Sequence, residues 1–121
     1  MIETIEGLPD GVIGFEAAGE VSADDYRDVL VPAIEAALRG GERLSLLYVL
    51  GERFDGMNAG AMWQDTKLGL EHPRSWQRLA IVTDVEWIGH AIKAFAWTIP
   101  AEVRVFALAD RGEAEAWLGG T

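Results

Sequence analysis

Two stretches of the chain are almost continuously apolar, and they constrain the fold more than any other feature. RLSLLYVL at residues 43–50 and QRLAIVTD at residues 77–84 are rich in leucine, isoleucine and valine, and neither shows a clean alternation of apolar and polar side chains. Strands of this kind are covered on both faces, as in a parallel sheet flanked by helices. The two stretches therefore predict the centre of a largely parallel sheet.

Turn and strand signals on either side extend this sheet. MIETIEGL at 1–8 and VIGFEAAGEV at 12–21 are joined through the turn LPDG, and they predict an N-terminal hairpin. EVRVFALAD at 102–110 predicts the last strand, whereas GERFDGMN at 51–58 is expected to be a loop.

Helical patterns fill the intervals between the predicted strands. Four are recognised, at residues 22–38, 59–72, 85–99 and 111–120. The order β-β-α-β-α-β-α-β-α predicts a single α/β domain over residues 1–121, with a mixed, largely parallel five-stranded sheet flanked by about four helices.

The first predicted helix has a clear start and an unusual interior. Ser22 and Asp25 stand at the spacing of a capping box, and apolar residues then recur at helical spacing as far as Leu38. Pro32 removes one backbone donor from this stripe. We therefore expect the helix to bend at Pro32 without ending there.

Composition excludes several classes of function. The chain has no cysteine, so disulfides, thiolate metal sites and cysteine nucleophiles are ruled out. The net charge is −10, and residues 1–42 hold ten acidic side chains against two arginines, which does not suit a nucleic-acid partner. The acidic N-terminus lacks the apolar run of a signal peptide, and no apolar stretch is long enough to span a membrane. We expect a cytoplasmic protein.

The stretch AMWQDTKLG at 61–69 looks more like chemistry than any other, because Asp65 and Lys67 lie close together beside Trp63. Helical positions two apart point about 200° away from each other, so these two side chains cannot meet on one regular helix. We interpret Asp65 and Lys67 as two faces of a helix, with Lys67 lying along the indole of Trp63. A relay with groups from other elements stays open.

Catalytic and metal-binding patterns are otherwise weak. The two histidines, His72 and His90, have no cysteine, histidine or acidic residue at metal-ligand spacing. We expect His72 to end a helix and His90 to pack against neighbours. Since no acid, base or nucleophile constellation is visible, we predict a protein that is not an enzyme and has no metal or cofactor.

The third predicted helix, at 85–99, carries the candidate site because it is apolar on two sides. One stripe, expected to face the sheet, comprises Ile88, Ile92, Phe95 and Ile99. The second, which we call the Trp87 stripe, comprises Trp87, Ala91, Ala94 and Trp97. A second apolar stripe is covered either by the neighbouring helix or by a partner or ligand.

Five segments taken together resemble the SpoIIAA-like branch of the STAS superfamily. They are SADDYRDVLVPAIEAAL, LSLLYVL with the following FDG, AMWQDTKLGLEH, RLAIVTDVEWIG and VRVFALADRGEAEAWL, and they occur in the expected order over nearly the whole chain. The resemblance implies a mixed sheet flanked by helices, related to STAS domains and to the CRAL-TRIO lipid-carrier fold. It implies no well-established enzyme activity.

The resemblance also tests one regulatory mechanism. The better understood STAS relatives are anti-anti-sigma factors. Their activity is switched when a serine at the start of the helix after the third strand is phosphorylated. The matching segment at 51–62 holds neither serine nor threonine, and Asn58 can cap the helix instead. The phosphorylation switch is therefore not expected in this chain.

Two functions from different classes remain. The first is a non-catalytic STAS-like interaction or regulatory module that self-associates as a homodimer through the apolar face of the third helix. The second is a carrier or sensor of a small apolar, lipid-like ligand in a cleft between the second and third helices. The candidate ligand or interface residues are Met57, Met62, Trp63, Trp87, Ala91, Phe95 and Trp97. A peripheral membrane contact stays open, although an anionic membrane would repel residues 1–42.

The two-faces interpretation predicts small effects of substitution in the second predicted helix. Asp65→Asn and Lys67→Met should each change the free energy of unfolding by no more than about 0.5 kcal/mol, as exposed substitutions usually do. Urea denaturation followed by circular dichroism measures the change. A loss above about 3 kcal/mol in Asp65→Asn would show that the carboxylate is buried and paired, which contradicts the interpretation.

Overall fold

The computed structural model describes residues 1–9, 11–38, 44–57, 76–95 and 102–119. Five strands form one sheet in the order β1-β2-β3-β4-β5. Strand β1 is antiparallel to β2, and the pairs β2–β3, β3–β4 and β4–β5 are parallel. The bounds are β1 (Ile2–Ile5), β2 (Val12–Val21), β3 (Leu44–Met57), β4 (Trp76–Thr83) and β5 (Glu102–Phe106). The predicted hairpin and the largely parallel five-stranded sheet are confirmed.

Three helices flank the sheet in the described part of the chain. Helix α1 covers residues 23–38 in three consecutive segments, Ala23–Asp25, a π-helical turn Tyr26–Leu30, and Val31–Leu38. Helix α2 is Glu86–Phe95, and α3 is Arg111–Leu118. The predicted second helix at 59–72, with Asp65, Lys67 and His72, lies outside the described residues.

The helices lie on opposite faces of the sheet. Right-handed crossovers that step in one direction place their helices on one face. Helices α1 and α2 accordingly share a face, where Leu30, Ile34 and Ile88 pack with Tyr48 and Ile81. Helix α3 covers the other face, and its residues Ala114 and Leu118 pack against β3 and β4 side chains Leu47, Val49, Ala80 and Val82.

Strand β3 is the centre of this arrangement. Every residue from Leu44 to Leu50 is buried, and the strand is hydrogen-bonded to β2 on one side and β4 on the other. The prediction of a strand covered on both faces is confirmed here, and also for Ala80–Thr83 of β4. In the core beside α1, the hydroxyl oxygens of Tyr26 and Tyr48 lie 3.0 Å apart and form a buried hydrogen bond.

Helix α1 continues through Pro32 as the sequence predicted, and the π-helical turn comes just before it. Within that turn the N–H of Val31 donates to the carbonyl of Tyr26, five residues earlier, instead of four. Proline cannot donate to the carbonyl four residues before it, and its ring crowds that carbonyl. A wider turn next to Pro32 accommodates both effects while the helix remains continuous to Leu38.

The predicted loop at 51–58 is wrong, because β3 continues to Met57. Strand β4 ends at Thr83, opposite Leu50, so within the described sheet this extension pairs with β2. The pairs Gly19–Phe54 and Val21–Met57 follow shifts in register. Such bulges break the two-residue alternation of side chains, and a strand paired on one side only does not need a continuous apolar run. For both reasons the charged, glycine-rich segment at 51–57 lacked the sequence pattern of a strand.

The last strand is shorter than predicted. It ends at Phe106 rather than at residue 110, and a short 3-10 helix, Leu108–Asp110, follows. The N–H of Leu108 donates to the carboxylate of Asp84, at 3.0 Å, in the segment between β4 and α2. This bond turns the chain away from the sheet and leads it into α3.

The start of α1 yields a stability prediction with a defined pH dependence. The Ser22 hydroxyl accepts from the N–H of Asp25, and the Asp25 carboxylate accepts from the N–H of Ser22 at 2.9 Å and lies 3.2 Å from the Met1 ammonium. Burial opposes ionisation of Asp25, but these donors outweigh it and lower the pKa of its carboxyl. A lowered pKa stabilises the folded chain above the ordinary pKa of aspartate, and this contribution is lost as the pH falls through the lowered value.

We therefore expect Asp25→Ala to lower the free energy of unfolding by about 1 kcal/mol at pH 7, and by less at about pH 2. Urea denaturation of the wild type and the variant at both pH values measures the difference. Asp24→Ala is the matched control, because Asp24 is exposed at the adjacent position and is paired with Arg27 at the surface. An effect of Asp25→Ala that is equal at both pH values would contradict the role assigned to the ionised carboxylate.

Candidate functional site

Helix α2 is the described part of the predicted third helix, and it is fixed firmly against the sheet. It begins directly after β4, where the N–H of Val85 donates to the hydroxyl of Thr83 at 3.1 Å. Ile88 is buried in the core and Ile92 packs against it. The predicted sheet-facing stripe is therefore confirmed for these two members, while Ile99 and the side chain of Phe95 lie outside the described part of the chain.

The Trp87 stripe lies at the surface of this helix. Trp87 is 47% exposed, which is high for a large apolar side chain. Ala91 is half-buried and Ala94 is exposed. His90 is exposed as well, so the expectation that it packs against neighbours is wrong. Successive helical residues point about 100° apart, so with Ile88 in the core the neighbouring Trp87 is directed outward.

The opposite flank of α2 faces the last strand. A side chain placed on Gly89 would meet Val105 of β5 at 3.8 Å. Trp87 is two positions before Gly89, so it points about 200° away, on the flank turned away from β5. The exposed residues Glu86 and Lys93 lie three positions before and four positions after Gly89, and they share its flank. Helix α2 thus has one apolar and one charged outer flank.

Polar contacts connect α3 and the segment before it with the strands and with the start of α2. Arg111, at the start of α3, lies 3.9 Å from the carboxylate of Glu16 on β2, and a side chain placed on Gly51 would meet both Glu16 and Leu108. Asp84 is already engaged with the Leu108 N–H. Within the described ranges, no cluster of three histidine, cysteine or acidic residues could hold a metal ion. These carboxylates therefore connect elements of the fold.

The remaining predicted site residues are only partly located. Met57 is the last residue of β3, opposite Val21, and Phe95 is the last residue of α2. The side chains of Met57 and Phe95, and the residues Met62, Trp63 and Trp97, lie outside the part that the structure describes. Of the seven candidate residues, Trp87 and Ala91 are placed, and they lie one helical turn apart on the same flank.

A second aromatic cluster, on the face covered by α3, was not found from the sequence. The guanidinium carbons of Arg78 and Arg104 lie 5.3 Å and 5.0 Å from the ring centroid of Trp117, and Phe106 packs beside that ring. Arg78 also donates to the Trp117 carbonyl in the last turn of α3, where a cation suits the helix dipole. The sequence did carry one indication of this cluster. Arg104 and Phe106 are two positions apart on β5, so their side chains lie on the same face of the sheet.

Within the described residues, no helix combines the length and the apolar character needed to cross a bilayer.

Comparison with known proteins gives a consistent result. A family model described as SpoIIAA-like matches residues 12–119, which include β2 to β5 and all three described helices. A solved structure of an uncharacterized protein of the DUF3478 family from Shewanella loihica PV-4, with a SpoIIAA-like fold, is 31% identical in sequence. The match covers 98% of this chain and 92% of that chain, with a TM-score of 0.78. The search of curated proteins found no significant match.

The exposure of Trp87 predicts that it contributes little to the stability of the monomer. Trp87→Ala should lower the free energy of unfolding by less than about 1 kcal/mol at protein concentrations too low for self-association. Ile88→Ala, one position along the same helix, is the control and should cost about 2–5 kcal/mol because it leaves a cavity in the core. Urea denaturation measures both. Equal losses would place Trp87 in the core.

Proposed function

The chain belongs to the SpoIIAA-like family of the STAS superfamily, and we propose that it acts as a non-catalytic interaction module that forms a homodimer through the Trp87 stripe. The observation that carries this proposal is the 47% exposure of Trp87 on a helix whose residues Ile88 and Ile92 are directed into the core. Tryptophan, with tyrosine and arginine, is enriched among the residues that contribute most of the binding energy at protein interfaces.

The surroundings of Trp87 suit a protein partner. Protein interfaces combine an apolar centre with a polar, solvated rim. Ala91 and Ala94 continue the apolar stripe, and small side chains allow a second helix to approach closely. His90 lies beside them as an exposed polar group. Because Ile88 and Thr83 fix α2 against β4, the surface is presented with little conformational freedom to lose on binding.

The described carboxylates at Asp84 and Glu16 support a non-catalytic role. The carboxylate of Asp84 accepts from the Leu108 N–H, and that of Glu16 lies beside Arg111, so both serve connections within the fold. The segment at 51–62 has no serine or threonine to accept a phosphoryl group. We therefore propose that binding itself, rather than chemistry or phosphorylation at this segment, is the activity of the domain.

One observation favours a second candidate function, a carrier or sensor of a small apolar ligand. The Trp87 stripe lies on the flank of α2 turned away from β5, and Ala91 on that flank is half-buried. An adaptable pocket lined by methionine and aromatic side chains would suit an apolar molecule. In this alternative, Trp87 forms the mouth of the cleft rather than the centre of a dimer interface.

One variant tests both functions. Trp87→Glu should leave the circular dichroism spectrum unchanged but weaken the dimer by about 2 kcal/mol or more, because a carboxylate would be buried at the interface centre. Sedimentation equilibrium measures the mass as a function of concentration. Thr4→Glu, which places the same charge at an exposed position of β1 on the other edge of the sheet, is the control and should sediment as the wild type.

A second measurement on the same proteins, the binding of a fluorescent apolar probe, distinguishes the carrier function from the homodimer. A wild-type monomer that binds a fluorescent apolar probe, and loses that binding in Trp87→Glu, favours the carrier function. A folded Trp87→Glu protein with unchanged mass and unchanged probe binding would contradict both functions.

A further inference from the structure

Strand β5 ends the described sheet and presents an edge. It pairs with β4 on one side, and no described strand pairs with its other side. The outward N–H and C=O groups of an edge strand can pair with another strand. Natural edges are commonly protected by charged side chains, so the charges along β5 decide what the edge can accept.

The charges on β5 are of opposite sign and lie two residues apart. Glu102 and Arg104 are both exposed and, being two apart, project from the same face of the strand. Neither forms an ion pair within 4.0 Å in the described part of the structure, although Glu102 stands opposite Arg78 in the register. The Arg104 guanidinium lies 5.0 Å from the ring centroid of Trp117, and a contact with the ring face leaves its N–H donors free to bind a carboxylate.

This pattern is complementary to itself. If two β5 strands pair antiparallel about a two-fold axis at Val103, Glu102 of each copy faces Arg104 of the other, on the same side of the joined sheet. Opposite charges at facing positions stabilise a strand pair, whereas like charges destabilise it. A single sign of charge along the edge would block a second copy, but this alternation favours it.

The helix layer repeats the same pattern. Gly89 turns its flank of α2 towards β5, and the exposed side chains Glu86 and Lys93 lie on that flank, two helical turns apart. The axis that joins two β5 strands would set two α2 helices antiparallel on one face of the sheet. The start of one α2 then lies beside the end of the other, so Glu86 of each copy is on the same side of the two-fold axis as Lys93 of the other.

From these two layers we propose that the β5 edge, together with the Glu86–Gly89–Lys93 flank of α2, forms a two-fold seam with a second copy of this chain. The seam joins two five-stranded sheets into one continuous sheet. It lies on the flank of α2 opposite Trp87, so it does not rest on the function proposed above. Since two different two-fold contacts can build larger assemblies, mass alone does not distinguish them, and a position-specific test is needed.

A single cysteine at the axis provides that test, because the natural chain has none. Facing residues of an antiparallel pair have Cα atoms about 4.5–5.5 Å apart, which is within the range that a disulfide spans. Val103→Cys should form a disulfide-linked dimer under mild oxidation, seen on a non-reducing gel. Thr4→Cys, on the other edge strand β1, is the control and should stay largely uncross-linked. Val103→Cys cross-linking no faster than this control would overturn the proposal.

Charge exchange in the Val103→Cys background tests the register. Glu102→Arg or Arg104→Glu alone puts like charges at both facing positions and should slow cross-linking about tenfold or more. An equimolar mixture of the two variants restores opposite charges between unlike copies, which are half of all encounters, and should recover about half of the wild-type rate. Circular dichroism checks that each variant is folded, since Arg104→Glu also loses the contact with Trp117.

The outcomes separate this seam from the Trp87 surface. Cross-linking that is unaffected by either charge reversal, or that the mixture does not restore, overturns the seam. Adding Trp87→Glu to Val103→Cys should leave cross-linking intact, so the seam stands even if the dimer through the Trp87 stripe does not form.

Discussion

Complete burial of β3 is the constraint on which the rest of the structure depends. From Leu44 to Leu50 this strand has neighbours on both sides and helices over both faces. An apolar strand can be removed from water in this way only if the chain supplies cover above and below it, and parallel neighbours require crossovers that provide such cover. The position of α1 and α2 on one face, and of α3 on the other, follows from this requirement.

The two faces meet the requirement by different means. On one face, α1 and α2 contribute large apolar side chains such as Leu30, Ile34 and Ile88. On the other, the eight-residue α3 contributes Ala114 and Leu118, and its last turn is secured by Arg78 and Arg104 around Trp117. Cation–π contacts of this type stabilise by about 0.5–1 kcal/mol each at exposed sites, so they supplement a small apolar contact.

The sequence predicted those features that depend on local pattern. The apolar runs identified β3 and β4, and helical spacing correctly separated the buried Ile88 from its neighbour Trp87. Features set by the alignment of distant segments were missed. The extension of β3 to Met57 depends on bulged pairing with β2, and the contact of Arg78 with Trp117 joins residues 39 positions apart. Of the candidate site, Met62, Trp63 and Trp97 lie outside the described residues, so their grouping with Trp87 stays a prediction.

The placement of α3 has a consequence for how the chain folds during synthesis. The five described strands precede α3 in the chain, and until residues 111–118 emerge, Leu47, Val49, Ala80 and Val82 lack the described helix that covers them. Translation at about 5–20 residues per second makes the interval between Val82 and Leu118 roughly two to seven seconds. During that time the nascent sheet offers an apolar surface to chaperones and to other nascent chains. Helix α3 therefore determines when this face of the sheet is withdrawn from such contacts.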